Sequence, residues 1–539
     1  KENVFTALVC IVNKIPCFIC GKPGCSKTLT VQLLSTNLRG VDSIEPFFRT
    51  LPEVYVITFQ GSESSTSEGI EKAFEKARAL LAKNADRSIL PLVVFDEMGL
   101  AELSPNNPLK VLHSLLEPDK AEVAFVGISN WRLDASKMNR VVFLARPDPD
   151  LEDLELTAIS IHQSYTEQSN SENLDLMKYL AQAYSRYKAD VSEKNKALAD
   201  FHGTRDFYYL IKYVTQEILS LEFKSQKSIL EKIKIGFERN FSGRDGSARA
   251  IQTFFKNIYN KPAFNLDPIS VLKLIEHNLM DKTARYLMVI TRGAASYILE
   301  KHFNKLIQNK ITLVGSKFPA DINTDEYSFR VLSEVILYME KGWTLVMEGL
   351  DNIYGSLFDL FNQNFSIIGK RKNCRIALGS VANPMCGVAD DFRCIVLVDE
   401  SEVPEMEPPF LNRFEKYVLN FENIMTPNQL ELAEKLQSWV EKLTTPNDGK
   451  APKIPLECLL CNYSNESAYS LIFNYDADGK EEDSEALLRQ CKKDIIKTAT
   501  SYLLFLAQSS VLQAEDPDEV QFFNETYLDH KNHTNLEEA

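Results

Sequence analysis

The sequence predicts an α/β protein of two tandem modules, each a doubly wound parallel sheet followed by a block of helices. Three observations predict it. Short runs rich in Val, Ile and Phe alternate with amphipathic stretches over residues 1–150, and such runs suit strands buried on both faces of a parallel sheet. The runs vanish from about Asp150 to Tyr259, where only helical apolar spacing remains. The alternation then returns before a last, mainly helical stretch, so one plan is used twice by copies that share little obvious sequence.

In chain order, Ile15–Cys20, Val54–Phe59, Leu90–Phe95, Val123–Ile128 and Val141–Leu144 read as strands, with Glu68–Lys83 and Pro108–Leu116 among the helices between them. Asn173–Lys188, Arg205–Leu221 and Ser228–Arg239 carry the spacing of the first all-helical block. Arg285–Thr291, Ile311–Gly315, Thr344–Met347 and Cys394–Val398 read as the second set of strands, separated by helices such as Ser328–Lys341 and Ile353–Phe361. The expected divisions are 1–150, 151–265, 266–425 and 426–539. Leu443–Pro455 reads as a linker or surface loop, and the polar Asn524–Ala539 as a disordered tail.

A chain of 539 residues is too long for one core, and 44% hydrophobic with 25% charged residues is an ordinary globular balance. The net charge of −15 argues against general nucleic-acid binding, because neutralising phosphates needs a basic face. No run reaches bilayer length; the most apolar, Phe5–Cys20, is broken by Asn13 and Lys14. The chain opens on Lys1 without a signal-peptide pattern and reads as an excerpt of something longer, its opening helix lying directly before the first core strand. Ten thinly spread cysteines argue against a disulfide framework and for a reducing compartment, the cytoplasm. Cys17 and Cys20 fall in an apparent strand, where positions three apart face opposite ways and cannot share a metal. Cys458 and Cys461 have no partner pair at zinc-site distance, so both pairs read as structural.

The first strand runs into Gly21-Lys22-Pro23-Gly24-Cys25-Ser26-Lys27-Thr28 and then into an apparent helix, Leu29–Leu38. Strand, Gly-rich loop and helix in that order form a phosphate-binding loop: backbone N–H groups wrap phosphates at the positive end of the helix. Lys27 is expected to reach the β- and γ-phosphates, the Thr28 hydroxyl to bind Mg²⁺, and Leu29 to lie against the nucleotide. Ser26 stands where the general motif has its second Gly; if that position needs positive φ, the Ser carries strain.

Leu90–Glu97 reads as a buried strand ending in two carboxylates, which are costly there unless they meet a metal or a cation. Downstream of a phosphate loop, Asp96 is expected to hold Mg²⁺ and Glu97 to polarise an attacking water. Val123–Asn130 is a further strand, ending in an Asn that faces the ligand crevice at the carboxyl edge of the sheet; it suits a sensor of bound nucleotide.

Loop, Asp-Glu strand, Asn-ended strand and trailing helices together resemble a P-loop NTPase of the AAA+ kind, with the helical block as its lid. More closely, Gly21–Thr28 with its Ser, Phe95–Glu102, Ser104–Glu117 and Gly127–Arg140 resemble the AAA+ core of the mysterin-type giant RING E3 ubiquitin ligases. The resemblance runs over most of the chain, is densest in 14–150, and makes Ser26 a family trait. It implies tandem AAA+ modules using ATP and Mg²⁺, neighbouring modules of the same longer chain as partners, and ubiquitin machinery reached through other regions. It also implies roles for arginines: Arg205 as the sensor-2 arginine, Arg413 in Pro409–Lys416 as the finger extended into a neighbouring site, and Arg140 as its counterpart in the first module.

The second module reads as degenerate. Arg285–Thr291 enters Arg292-Gly293-Ala294-Ala295-Ser296-Tyr297 with no Lys-Ser/Thr pair, and Thr344–Gly349 has one carboxylate followed by Gly where the catalytic Glu should stand. No RING pattern of paired Cys and His is present, so ligase activity rests on the resemblance alone. The competing readings are a dynein/midasin-like or chaperone-type remodelling ATPase with no ligase, and a nucleotide-holding scaffold, against which Glu97 speaks.

Overall fold

Five parallel strands form the first sheet: β1 (Cys17–Gly21), β2 (Glu53–Gln60), β3 (Ile89–Asp96), β4 (Ala124–Ser129) and β5 (Val142–Arg146), in the order β2-β3-β4-β1-β5. The computed structural model describes residues 2–530 except 85–87, 118–121, 167–169, 196–198, 222–224, 260–263, 265, 293–294, 304–306, 308, 323, 379–382, 445–454, 465, 477–483, 501–502, 504–520, 523 and 528–529. Most of the expected linker at 443–455, most of the tail at 524–539, and Gly293 and Ala294 therefore lie outside the described residues, while Leu443 and Thr444 end the helix Pro427–Thr444.

The inner strands β1, β3 and β4 are apolar nearly throughout because both of their faces are covered, whereas the edge strands β2 and β5 are partly exposed. Phe18, Cys20, Val93, Phe95 and Phe125 pack on one side with Ile70 and Phe74 of the Ser67–Lys83 helix. Cys17, Ile19, Leu92, Val94 and Val126 pack on the other with Ala7, Ile11, Val31 and Leu34 from helices Glu2–Val12 and Lys27–Asn37. Cys17 and Cys20 accordingly belong to opposite faces.

Helices Leu151–Tyr165, Ser171–Lys194, Thr204–Ser220, Gln226–Phe241 and Ser247–Tyr259 follow and share one aromatic-rich core, in which Tyr184 stacks on Phe207 at 4.8 Å. The second sheet holds β6 (Leu287–Thr291), β7 (Lys310–Val314), β8 (Thr344–Glu348), β12 (Arg393–Asp399) and β13 (Glu415–Val418), in the order β13-β6-β12-β8-β7. Read from the other edge, that order repeats the first sheet strand for strand. Between β8 and β12 an antiparallel meander is inserted, β9 (Ser366–Ile368), β10 (Arg371–Arg375) and β11 (Met385–Val388). The meander and β13 are additions to the sequence expectation. Pro108–Leu116 differs too: Asn107 is left-handed at φ 44, and the segment opens as a 3₁₀ turn over Pro108–Val111 before a short helix, Leu112–Leu115.

The chain divides into two compact units. Lys1–Ile269, Lys273–Ile290 and Phe303–Val418 form the first, which holds nearly all of both sheets and the first helical block. Ser270–Leu272, Thr291–His302 and Leu419–Ala539 form the second, built chiefly from helices including Pro427–Thr444, Ser467–Tyr475 and Ser484–Lys497.

Candidate functional site

β1 ends at Gly21 and the helix resumes at Lys27, so five residues must reverse the chain in a tight loop. Two of them take left-handed backbone: Gly24 at φ 87 and Ser26 at φ 59. The expected strain at Ser26 is thus present, with no side-chain cap to offset it. A side chain on Gly24 would strike Thr204 Oγ1, which donates to Pro23 O at 2.9 Å and ties the lid to the loop. Arg146 Nε donates to Cys25 O at 3.0 Å, and Lys22 turns outward to Asp200 and Asp148 at 2.9 and 3.4 Å. Gly21, Lys22, Pro23 and Cys25 therefore shape the loop from behind. Gly24, Ser26, Lys27, Thr28 and Leu29 line a cavity of about 230 Å³ together with Asp96, Glu97, Asn130, Arg205, Tyr208 and Asn362.

The carboxyl ends of β3 and β4 deliver the polar groups opposite. Glu97 leaves β3 in a left-handed turn at φ 49, and its N–H donates to Asp96 Oδ1 at 2.9 Å. Asn130 bridges the site: its Oδ1 accepts from Lys27 Nζ at 3.0 Å and its Nδ2 donates to Glu97 Oε2 at 2.7 Å. Lys27 Nζ also donates to Lys22 O at 2.9 Å. From the second module, Arg413 Nη2 donates to Glu97 Oε1 at 2.6 Å. Arg205, on the first turn of the Thr204–Ser220 helix, donates from Nη1 to Asn362 Oδ1. The structure thus gathers the expected residues in one place, and adds Tyr208 and Asn362, which no sequence motif marks. Arg140 is elsewhere, hydrogen-bonded to His113 O on the surface of its own module.

Arg413 is carried into place by a polar clasp inside the first unit. Asp206, fully buried, accepts from Arg285 Nη1 at 2.8 Å and Lys416 Nζ at 3.1 Å, and its other oxygen accepts from Gly203 N–H at 2.8 Å. Burial alone would raise this carboxyl, but Lys416 and Arg285 hold it below the usual carboxylate range. Asn412 Oδ1 accepts from the same Gly203 N–H at 2.7 Å. Arg239 forms a bidentate pair with Glu415 at 2.8 and 3.1 Å, so the charged residues of β13 are buried and paired.

The second module repeats the backbone at the carboxyl end of β3 without the Glu97 side chain. Gly61 N–H donates to Asp96 O, and Gly315 N–H donates to Glu348 O, both at 2.8 Å. The residue after each carboxylate is left-handed, Glu97 at φ 49 and Gly349 at φ 62. Gly349 therefore stands at the place of Glu97 and carries no carboxylate.

The charges in the cavity are unbalanced in a telling way. Burial pushes Lys27 down to about 8 although Glu97 is near, and pushes Arg413 down to about 10 and Arg205 below its ordinary value. Burial and the adjacent Glu97 charge raise Asp96 to about 6. Lys27 and Arg205, buried at the cavity with no ion pair among the described contacts, favour a polyanion, and a carboxylate held short of a cation, beside the Thr28 hydroxyl, favours a divalent metal. The residues present fit a nucleoside polyphosphate with Mg²⁺.

Comparison with known proteins agrees with this layout. Two family models, each described as an RNF213 AAA domain, match residues 1–153 and 276–425. The chain is 34% identical over 466 residues to the E3 ubiquitin-protein ligase RNF213 of Homo sapiens, covering 82% of this chain and 9% of that protein. The Mus musculus protein of the same name is 32% identical over 553 residues, covering 96% of this chain and 10% of that protein. The Danio rerio ligase rnf213-beta is 36% identical over 467 residues, covering 82% and 9%. The chain spans about a tenth of the length of these relatives, and the mysterin-type resemblance of the sequence is borne out.

Proposed function

Because the chain belongs to the family of RNF213 AAA domains, we propose that its first module binds and hydrolyses ATP with Mg²⁺, and that its second module holds no productive nucleotide and supplies Arg413 instead. Lys27 and the loop N–H groups grip the phosphates, and Thr28 and Asp96 hold the metal. When bound, Mg²⁺ offsets the charge of the β- and γ-phosphates. Glu97 polarises the attacking water, Asn130 fixes the Glu97 carboxylate, and Arg205 and Arg413 offset charge that develops on the terminal phosphate.

One observation carries this reading: the Glu97 carboxylate is shared between Asn130 of its own module and Arg413 of the next, at 2.7 and 2.6 Å. A site that only held nucleotide would not need a strand-end carboxylate aimed at an arginine finger. Gly349 at the place of Glu97 supports the silence of the second module. The relatives are named E3 ubiquitin-protein ligases, and we extend that activity, the neighbouring modules and a cytoplasmic location to the whole protein of which this chain would be a part.

The direct test is equilibrium binding of a fluorescent ATP analogue with Mg²⁺, alongside phosphate release, for the parent chain and Lys27→Ala. Loss of both in the variant is the expected result. Equal binding by Lys27→Ala would overturn the assignment.

A further inference from the structure

Asn362 reaches the cavity from the second module, at the end of the Phe358–Phe361 helix, and no nucleotide-site motif includes it. Its place is fixed by its own module. Its N–H donates to Phe358 O at 3.0 Å, and the next residue, Gln363, is left-handed at φ 53 with its side chain anchored to Ala284 O at 2.9 Å. Asn364 N–H donates to Asp359 O at 3.0 Å, and Asp359 is in turn held by Arg375 of β10 at 2.7 Å. Asn362 Oδ1 therefore offers Arg205 an acceptor whose position the lid does not control.

The chemistry of that acceptor matters. A carboxylate here would pair with the guanidinium and cancel its charge, whereas a neutral amide oxygen aims the guanidinium and leaves its charge free. Glu97 and Asp96 lie near enough to favour the charged form of Arg205, and Arg285 near enough to oppose it, but none of the three makes a hydrogen bond to it among the described contacts.

We propose that Asn362 is a positioning residue that holds Arg205 toward the terminal phosphate of ATP with its charge unspent, so that telling ATP from ADP depends on a residue of the second module. The inference rests on the ATP-site reading above. It makes the second module a contributor to recognition as well as to turnover: Arg413 addresses Glu97, while Asn362 addresses the lid.

The test is the ratio of ATP to ADP affinity, measured by competition against a fluorescent nucleotide for the parent, Asn362→Ala, Asn362→Asp, Arg205→Ala and the double variant Arg205→Ala/Asn362→Ala. Asn362→Asp is expected to weaken ATP roughly tenfold or more, about 1.4 kcal/mol, while ADP stays within about twofold. Unchanged ADP binding also reports that the variant is folded. Asn362→Ala is expected to weaken ATP less, and to add nothing in the Arg205→Ala background. Full affinity for ATP in Asn362→Asp, an equal loss of ATP and ADP, or an Asn362→Ala effect that persists without Arg205 would each overturn the inference while leaving the ATP site standing. A parent chain that binds neither nucleotide overturns the ATP reading and this inference with it.

Discussion

Arg413 Nη2 stands 2.6 Å from Glu97 Oε1, joining residues 316 positions apart in the chain and drawn from different modules. The guanidinium carbon sits over the Phe358 ring, 3.6 Å from its centroid, and Arg413 is only 2% exposed. A cation so placed depends on its carboxylate, and the carboxylate is in turn committed to the cation. The bond that holds Arg413 at the site also occupies the group proposed to activate water.

Arg413→Lys keeps the charge and loses the planar fork. Turnover of ATP is expected to fall by about 10³-fold, the lower end for removal of an arginine finger, with ATP affinity changed by less than about threefold. Single-turnover phosphate release and equilibrium binding measure the two effects separately. A variant that hydrolyses normally would remove Arg413 from the chemistry.

Glu97→Gln keeps the hydrogen bond from Asn130 within reach and removes the negative charge. Hydrolysis should drop by about 10²-fold or more while ATP still binds. Trapping of unhydrolysed ATP on the purified variant is the measurement, and rapid conversion to ADP would contradict the role.

Ser26 is left-handed at φ 59 and uncapped, so Ser26→Gly should relieve backbone strain. Urea denaturation is expected to report a gain of about 0.5–1 kcal/mol. Gly349→Ala, at φ 62, is the converse case and should lose about 1 kcal/mol. Loss of stability in Ser26→Gly would mean that the hydroxyl does more than the geometry indicates.

His202 is buried among Tyr187, Ser242 and Lys416, and burial together with the Lys416 charge pushes it down to about 3. The folded state therefore keeps the imidazole neutral while the unfolded chain protonates it near pH 6.5. Its contribution to stability is fully present above about pH 6.5 and is lost as pH falls from there toward about 3. Between pH 6.5 and 5 that loss should be about 2 kcal/mol, and His202→Gln should lack this part of the acid dependence. Denaturation at the two pH values for both proteins decides it.

The doubly buried strands were legible because burial on two faces leaves uninterrupted apolar runs, as in Leu90–Phe95. β13 was not, because Glu415 and Lys416 look like surface residues. They are buried only because Arg239 and Asp206, distant in sequence, pair with them. The β9–β10 hairpin was hidden for the opposite reason: Ile367 and Ile368 are exposed, so no alternation of buried and open positions marks the strand. At the site, Lys27, Asp96, Glu97 and Asn130 could be read from local strand-and-loop patterns. Arg205 and Arg413 needed a family resemblance, and Asn362 had no signal, since its role lies in where an irregular segment ends in space.

The Asp206 clasp and the Glu97–Arg413 pair also have a consequence for biosynthesis. The residues that line the cavity, together with the Arg413 that grips its Glu97, extend from Gly24 to Arg413 along the chain, roughly 390 residues. At about 5–20 residues per second, the ribosome needs roughly 20–80 s between making the first of them and the last. Over that interval Gly24–Thr28 waits without Arg413, and Asp206, once made, waits first for Arg285 and then for Lys416. A half-synthesised chain therefore lacks both the Arg413 contact to Glu97 and the completed Asp206 clasp until β13 has been made.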